Sequence, residues 1–114
     1  MVFPEGVVTR LLDTLNGVVR GLLSFTPAGA GLAIAEGANA RMGVSAAMVG
    51  GTLLVANTSI TATTRIFLVH LGTGVVANFG HLYVSARVAG ASFTVTSSNG
   101  LDTDTFGYLL VEPA

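Results

Sequence analysis

A chain of 114 residues is expected to form one domain with at most a short appendage. Hydrophobic residues make up 51% of it and charged residues 10%, against about 25% charged in typical globular chains. With a net charge of −1, no lysine and no basic run, it has no field to attract nucleic acid or an anionic membrane; with no cysteine it has no disulfides and no thiolate metal sites.

A folded monomer of 11.5 kDa exposes on the order of 5,800 Å². Five cations and six anions cannot cover that much surface. Ser, Thr, Asn and Gly must supply the remainder, or subunit contacts must remove it. Apolar, charge-poor surfaces are typical of obligate interfaces, so a homo-oligomer is expected.

The first element in chain order is residues 7–25. Val8, Leu11, Leu12, Leu15, Val18, Val19 and Leu22 recur at three- and four-residue steps, with Arg10, Asp13 and Arg20 off that stripe. A helix accounts for this pattern. A hairpin turning at Asn16-Gly17 accounts for it equally, because Gly17 and Gly21 each weaken a helix by roughly 1 kcal/mol relative to alanine. Arg10, Asp13, Asn16 and Arg20 are too costly at mid-bilayer for a spanning helix. No positive n-region precedes the segment, and Glu5 lies near the start, so a signal peptide is not expected. These features predict a protein made in a cytoplasm.

The chain divides near Pro27-Ala28-Gly29-Ala30-Gly31, giving an N-terminal segment, 1–30, and a β-domain, 31–114. Leu32 and Ile34 alternate with alanines and predict a thin strand; 37–43 reads as a loop and 44–49 as a further strand. Four runs follow, at 53–57, 64–71, 82–87 and 92–97, most of them rich in Val, Thr or aromatic residues. Ala89-Gly90-Ala91 joins the last two as a hairpin, Ser98-Asn99-Gly100 opens a long loop, and 106–111 closes the set. Six to eight short strands with turns every 8–12 residues or so predict an all-β fold, a small antiparallel sandwich or jelly roll.

Several strings occur in an order and spacing that resembles a β-domain of tailed-phage virion proteins. They are Ala56-Asn57-Thr58-Ser59-Ile60-Thr61-Ala62, Arg65-Ile66-Phe67-Leu68, residues 84–98, Asp102-Thr103-Asp104-Thr105, and Leu109-Leu110-Val111-Glu112-Pro113. The resemblance covers residues 36–113 and implies a capsid decoration or cement protein, or a head- or tail-fibre module, commonly trimeric. It supplies no catalytic residues. No long repetitive shaft precedes the block here, which favours decoration over a full-length fibre.

The residues that carry chemistry elsewhere are sparse. His70 and His81 are the two histidines, and without a carboxylate close in sequence they read as ordinary residues near strand ends. Asp102-x-Asp104 lacks the glycine and distal glutamate of a calcium loop and reads as a solvated turn. The serines sit in no nucleophile-elbow context, and Glu5, Glu36 and Glu112 are too scattered to pair as acid and base. No enzyme, cofactor or metal is therefore expected. Arg65 and Arg87 interrupt apolar runs and are expected to snorkel or to pair across a subunit interface with Asp102, Asp104 or Glu112. Core packing is the default for the aromatic residues after position 66.

These readings converge on a non-enzymatic virion protein: a homotrimer that decorates and cements the capsid by binding the major capsid protein. Phe3, Val8, Leu11, Leu12, Leu15, Val18 and Leu22 are the expected docking or trimer contacts. The alternative is a head- or tail-fibre tip that binds a host-surface glycan or receptor.

Overall fold

In the computed structural model, residues 23–114 are described. The docking contacts expected from Phe3 to Leu22, and the choice between helix and hairpin there, lie outside the described residues. Residues 23–33 carry no strand or helix; a turn closes where Ala30 N–H donates to the Pro27 carbonyl at 3.0 Å. Ile34–Ala114 makes one compact unit.

That unit is all-β. Its strands are β1 (Met42–Val44), β2 (Thr52–Ala56), β3 (Arg65–His70), β4 (Leu82–Val88), β5 (Ser92–Ser97) and β6 (Phe106–Val111), with a single 3-10 turn at Val76–Asn78. They form two three-stranded sheets, ordered β1-β6-β3 and β2-β5-β4, with every pair antiparallel. The sheets pack inner face to inner face as a sandwich. Phe93 and Val95 of β5 meet Phe106, Tyr108 and Leu110 of β6, with Met48 and Ile60 beside them, and all of these are buried. Phe93 and Tyr108 contact edge to face, with ring centroids 5.4 Å apart. Burying each large apolar side chain stabilises the fold by about 1.5–3 kcal/mol.

Local chemistry sets the strand ends. The β4–β5 hairpin turns at Gly90 with φ 74, a left-handed backbone that glycine adopts without a Cβ penalty. Asn57 ends β2: its buried side chain donates to the Ala40 carbonyl at 2.7 Å and accepts Ser59 N–H at 2.8 Å, so it fastens two loops at once. Gly43 lets β1 lie close to Tyr108, since a Cβ there would meet the Tyr108 hydroxyl at 2.5 Å.

Two strand expectations need correction. The strand near residue 44 is Met42–Val44 rather than 44–49. Ser45 diverts the chain after it, because its Oγ accepts Phe106 N–H at 2.9 Å and donates to the Ala46 carbonyl at 2.7 Å. A hydroxyl that captures a ladder amide competes with strand continuation. Residues 32–34 form no strand, and Leu32 stands exposed.

Two connections pass between the sheets at one end of the sandwich. Residues 71–81 lead from β3 to β4 and 98–105 lead from β5 to β6. His70, Asp102 and Asp104 gather where these loops meet.

Candidate functional site

His70 ends β3 and points into that junction. Its Nδ1–H donates to Asp104 Oδ2 at 2.7 Å and its Nε2–H to the Gly80 carbonyl at 2.8 Å. A carboxylate and a carbonyl only accept, so this geometry uses both ring protons and fixes His70 as the imidazolium. The ring stacks on Phe79, centroid to centroid at 4.7 Å and 9° from parallel, which places the cation over an aromatic face.

Asp104 is fully buried. Besides His70 it accepts Thr73 N–H at 2.7 Å, Thr73 Oγ1–H at 2.9 Å, and the Gly72 and Gly74 amides, each at 3.2 Å. Asp102, also fully buried, accepts the Ser97 hydroxyl at 2.7 Å and the amides of Gly80 and Asp104 at 3.0 Å. Gly80 is required at this point, because a Cβ there would strike Ser97 Oγ and come within 2.7 Å of Asn99 N. Two aspartates thus hold loop 71–81 against loop 98–105 with backbone amides as the main donors.

The charges follow from these contacts. Burial would raise the pKa values of both aspartates. For Asp104 the hydrogen bonds from His70, Gly72 and Thr73 outweigh burial and hold the carboxyl far below the usual carboxylate range. For Asp102 the amides of Gly80 and Asp104, the Ser97 hydroxyl and the His70 charge also win, and its pKa falls. Burial would lower the pKa of His70, but its bonds to Gly80 and Asp104 and the charges of both aspartates raise it.

Asp102-x-Asp104 is therefore a buried clamp and not the solvated turn that its sequence suggests. Loops can bury carboxylates only where donors converge, and among the described residues no buried side-chain N or O lacks a partner. His70 and His81 do not face each other; His81 is exposed and its amide donates to Ser98 Oγ at 2.8 Å. Among the described residues no three His, Cys, Asp or Glu side chains gather as a metal site. The clamp has no free lone pair on its imidazole and no unengaged hydroxyl at Ser97, so its arrangement organises loops.

A second cluster lies at the opposite end. Glu112 accepts the hydroxyls of Thr61 (2.8 Å and 3.0 Å), Thr63 (3.4 Å) and Thr64, and Arg41 Nη1 lies 3.5 Å from it. The Thr64 and Thr61 hydroxyls, followed by the Arg41 charge, lower its pKa. Arg87 reaches the same turn, with Nη1 donating to the carbonyls of Thr64 at 2.6 Å and Thr61 at 3.3 Å. The three acids expected to pair with arginine across an interface are thus all engaged within the chain, and Arg87 bonds carbonyls instead. Arg65 is exposed on the outer side of β3.

The two outer sheet faces differ in chemistry. Outward on the β1-β6-β3 sheet stand Met42, Val44, Phe67, Val69, Leu109 and Val111. On the β2-β5-β4 sheet Tyr83, Thr96 and Thr52 form one cross-strand row. Thr96 Oγ1 lies 3.4 Å from Thr52 Oγ1 and donates to Ser85 Oγ at 2.7 Å, with Leu54 exposed nearby on β2. Phe67 (58% exposed) and Tyr83 (50% exposed) depart from the core role expected of the aromatic residues. No sequence signal separates Phe67 from Phe93, because both sides of β3 carry apolar residues, whereas Tyr83 shares its side of β4 with Ser85, opposite Leu82 and Val84.

Residues 39–111, well over half of the chain and including all six strands, match the family described as K1 capsule-specific polysaccharide lyase, C-terminal domain. The chain belongs to that family, a phage tail-spike-associated module, in keeping with the resemblance to phage virion domains. No curated protein and no solved structure matches the chain.

Proposed function

We propose that this chain is a non-catalytic module of a phage tail spike or fibre that works as a homotrimer and engages host-surface polysaccharide. The observation that carries the reading is the family match over residues 39–111, which spans the whole sandwich and names a domain of a capsule-specific lyase. The match favours the fibre alternative over capsid decoration, because a capsule-directed protein acts at the host surface and not across the capsid lattice.

The chemistry of the β2-β5-β4 outer face supports a carbohydrate ligand. A sugar ring presents an apolar C–H face and a rim of hydroxyls. Tyr83 and Leu54 offer apolar surface, while Thr52, Ser85, Thr94 and Thr96 offer side-chain hydroxyls on the same sheet. Each hydroxyl donates once and accepts twice, so a polyhydroxyl ligand can be matched without charge. The clamp at His70, Asp102 and Asp104 keeps the loops beside this face rigid, which lowers the ordering cost of binding.

The test is retention of the isolated protein on encapsulated host cells and on purified capsular polysaccharide. Binding that falls at least tenfold in Tyr83→Ala, with the fold intact by circular dichroism, is expected. No binding to cells or to polysaccharide would overturn the proposal.

A further inference from the structure

We infer that the outer face of the β1-β6-β3 sheet is where copies of this chain meet, and that its occupant is a second copy of the same chain. The inference rests on the self-association proposed above and gives it a surface.

Register places Met42, Leu109 and Phe67 in one outward row and Val44, Gly107 and Val69 in the next. Gly107 contributes no side chain between two valines, so the middle of the sheet sinks. The result is an open trough of about 220 Å³, walled by Met42, Val44, Phe67, Val69 and Leu71. Phe67, Val69 and Val44 are 58%, 57% and 56% exposed. Singly scattered apolar side chains are ordinary on a monomer, whereas a contiguous patch marks a contact surface.

Charge selects the occupant. Glu36 lines the trough, and Arg65 stands outward on β3 one row beyond Phe67, opposite Val111. Among the described residues neither takes part in an ion pair. The carboxylate lines the trough and the guanidinium stands outside it, so in the proposed trimer the Arg65 side of one copy meets the Glu36 side of the next, head to tail. A second copy brings Arg65 towards Glu36 while Phe67 fills the trough. An aromatic anchor in an apolar pocket with charges at the rim is the usual anatomy of a protein interface. A polysaccharide finds few hydroxyl partners here; the opposite sheet holds those.

Sedimentation equilibrium of the full chain, with circular dichroism on every variant, tests the assignment. The wild-type protein is expected at a multiple of 11.5 kDa. Phe67→Asp, and independently Val44→Asp, should weaken association by at least ~100-fold, the effect of placing a carboxylate in the apolar centre of an interface. Leu54→Asp, on the other sheet, should leave the mass unchanged. If Phe67→Asp loses its strand signal, Val44→Asp is decisive. Wild-type mass in a folded Phe67→Asp or Val44→Asp protein would overturn the surface and leave self-association standing. A wild-type protein at the mass of one chain at all concentrations would overturn both, without bearing on polysaccharide binding.

Discussion

Removing the Asp104 carboxylate is among the most severe single changes the structure offers. The side chain is fully buried and accepts five hydrogen bonds, from His70, Gly72, Gly74 and twice from Thr73. Asp104→Ala leaves three backbone amides, a hydroxyl and an imidazolium without their acceptor. A hydrogen bond to a charged group contributes about 1.5–3 kcal/mol, but the five share one carboxylate and do not add. Breaking a buried charge pair by removing one partner costs about 3–5 kcal/mol, and that range is expected here. For a domain of this size 1 kcal/mol moves the melting temperature by about 4–8 °C, so Tm should fall by at least ~12 °C. Urea titration at fixed protein concentration reads the free energy, and calorimetry reads Tm. A double-mutant cycle with His70→Ala should return a coupling above ~1 kcal/mol, because each partner's burial is tolerated through the other. A loss below ~1 kcal/mol in Asp104→Ala, or additivity in the cycle, would refute the clamp.

Further outcomes follow from the same contacts. Folding raises the His70 pKa, so its contribution is complete below the unfolded value near ~6.5 and is lost as pH rises through the folded value. Folding lowers those of Asp102 and Asp104, so theirs is complete above ~4 and is lost as pH falls through the folded values. Stability measured by urea titration across pH should therefore decline on the alkaline side of ~6.5, and His70→Ala should remove that part of the decline; an unchanged profile in the variant would count against the imidazolium. Gly80→Ala should cost about 1–3 kcal/mol, read by chemical denaturation, since its Cβ meets Ser97, Ser98 and Asn99. Phe93→Ala, at the sandwich centre against Tyr108, should cost about 3–5 kcal/mol in the same assay.

The strands were legible where composition and punctuation agreed. Ser92–Ser97 alternates polar and apolar residues, and Phe106–Val111 ends at a proline-containing tail, so both stand where the pattern puts them. The β1 region was not legible in the same way. Its end is decided by Ser45 taking the amide of Phe106, a contact between residues far apart in sequence. Asp102 and Asp104 misled for the same reason, because their donors come mainly from residues 70–80 and nothing local marks the pair as buried. In β3 both faces are apolar, so alternation alone does not say that Ile66 and Leu68 turn inward while Phe67 and Val69 turn out. Charge content alone says that Ser, Thr, Asn and Gly, or subunit contacts, must account for much of the surface. Which outer face is apolar and which carries hydroxyls needed the register.

The proposed function puts the chain at the host-facing end of a phage particle. Quantitative mass spectrometry of purified virions of the phage that encodes it, against the major capsid protein, tests this most directly. A few copies per particle, in a multiple of three, is the predicted result. Hundreds of copies would restore capsid decoration, and none would contradict a virion role altogether.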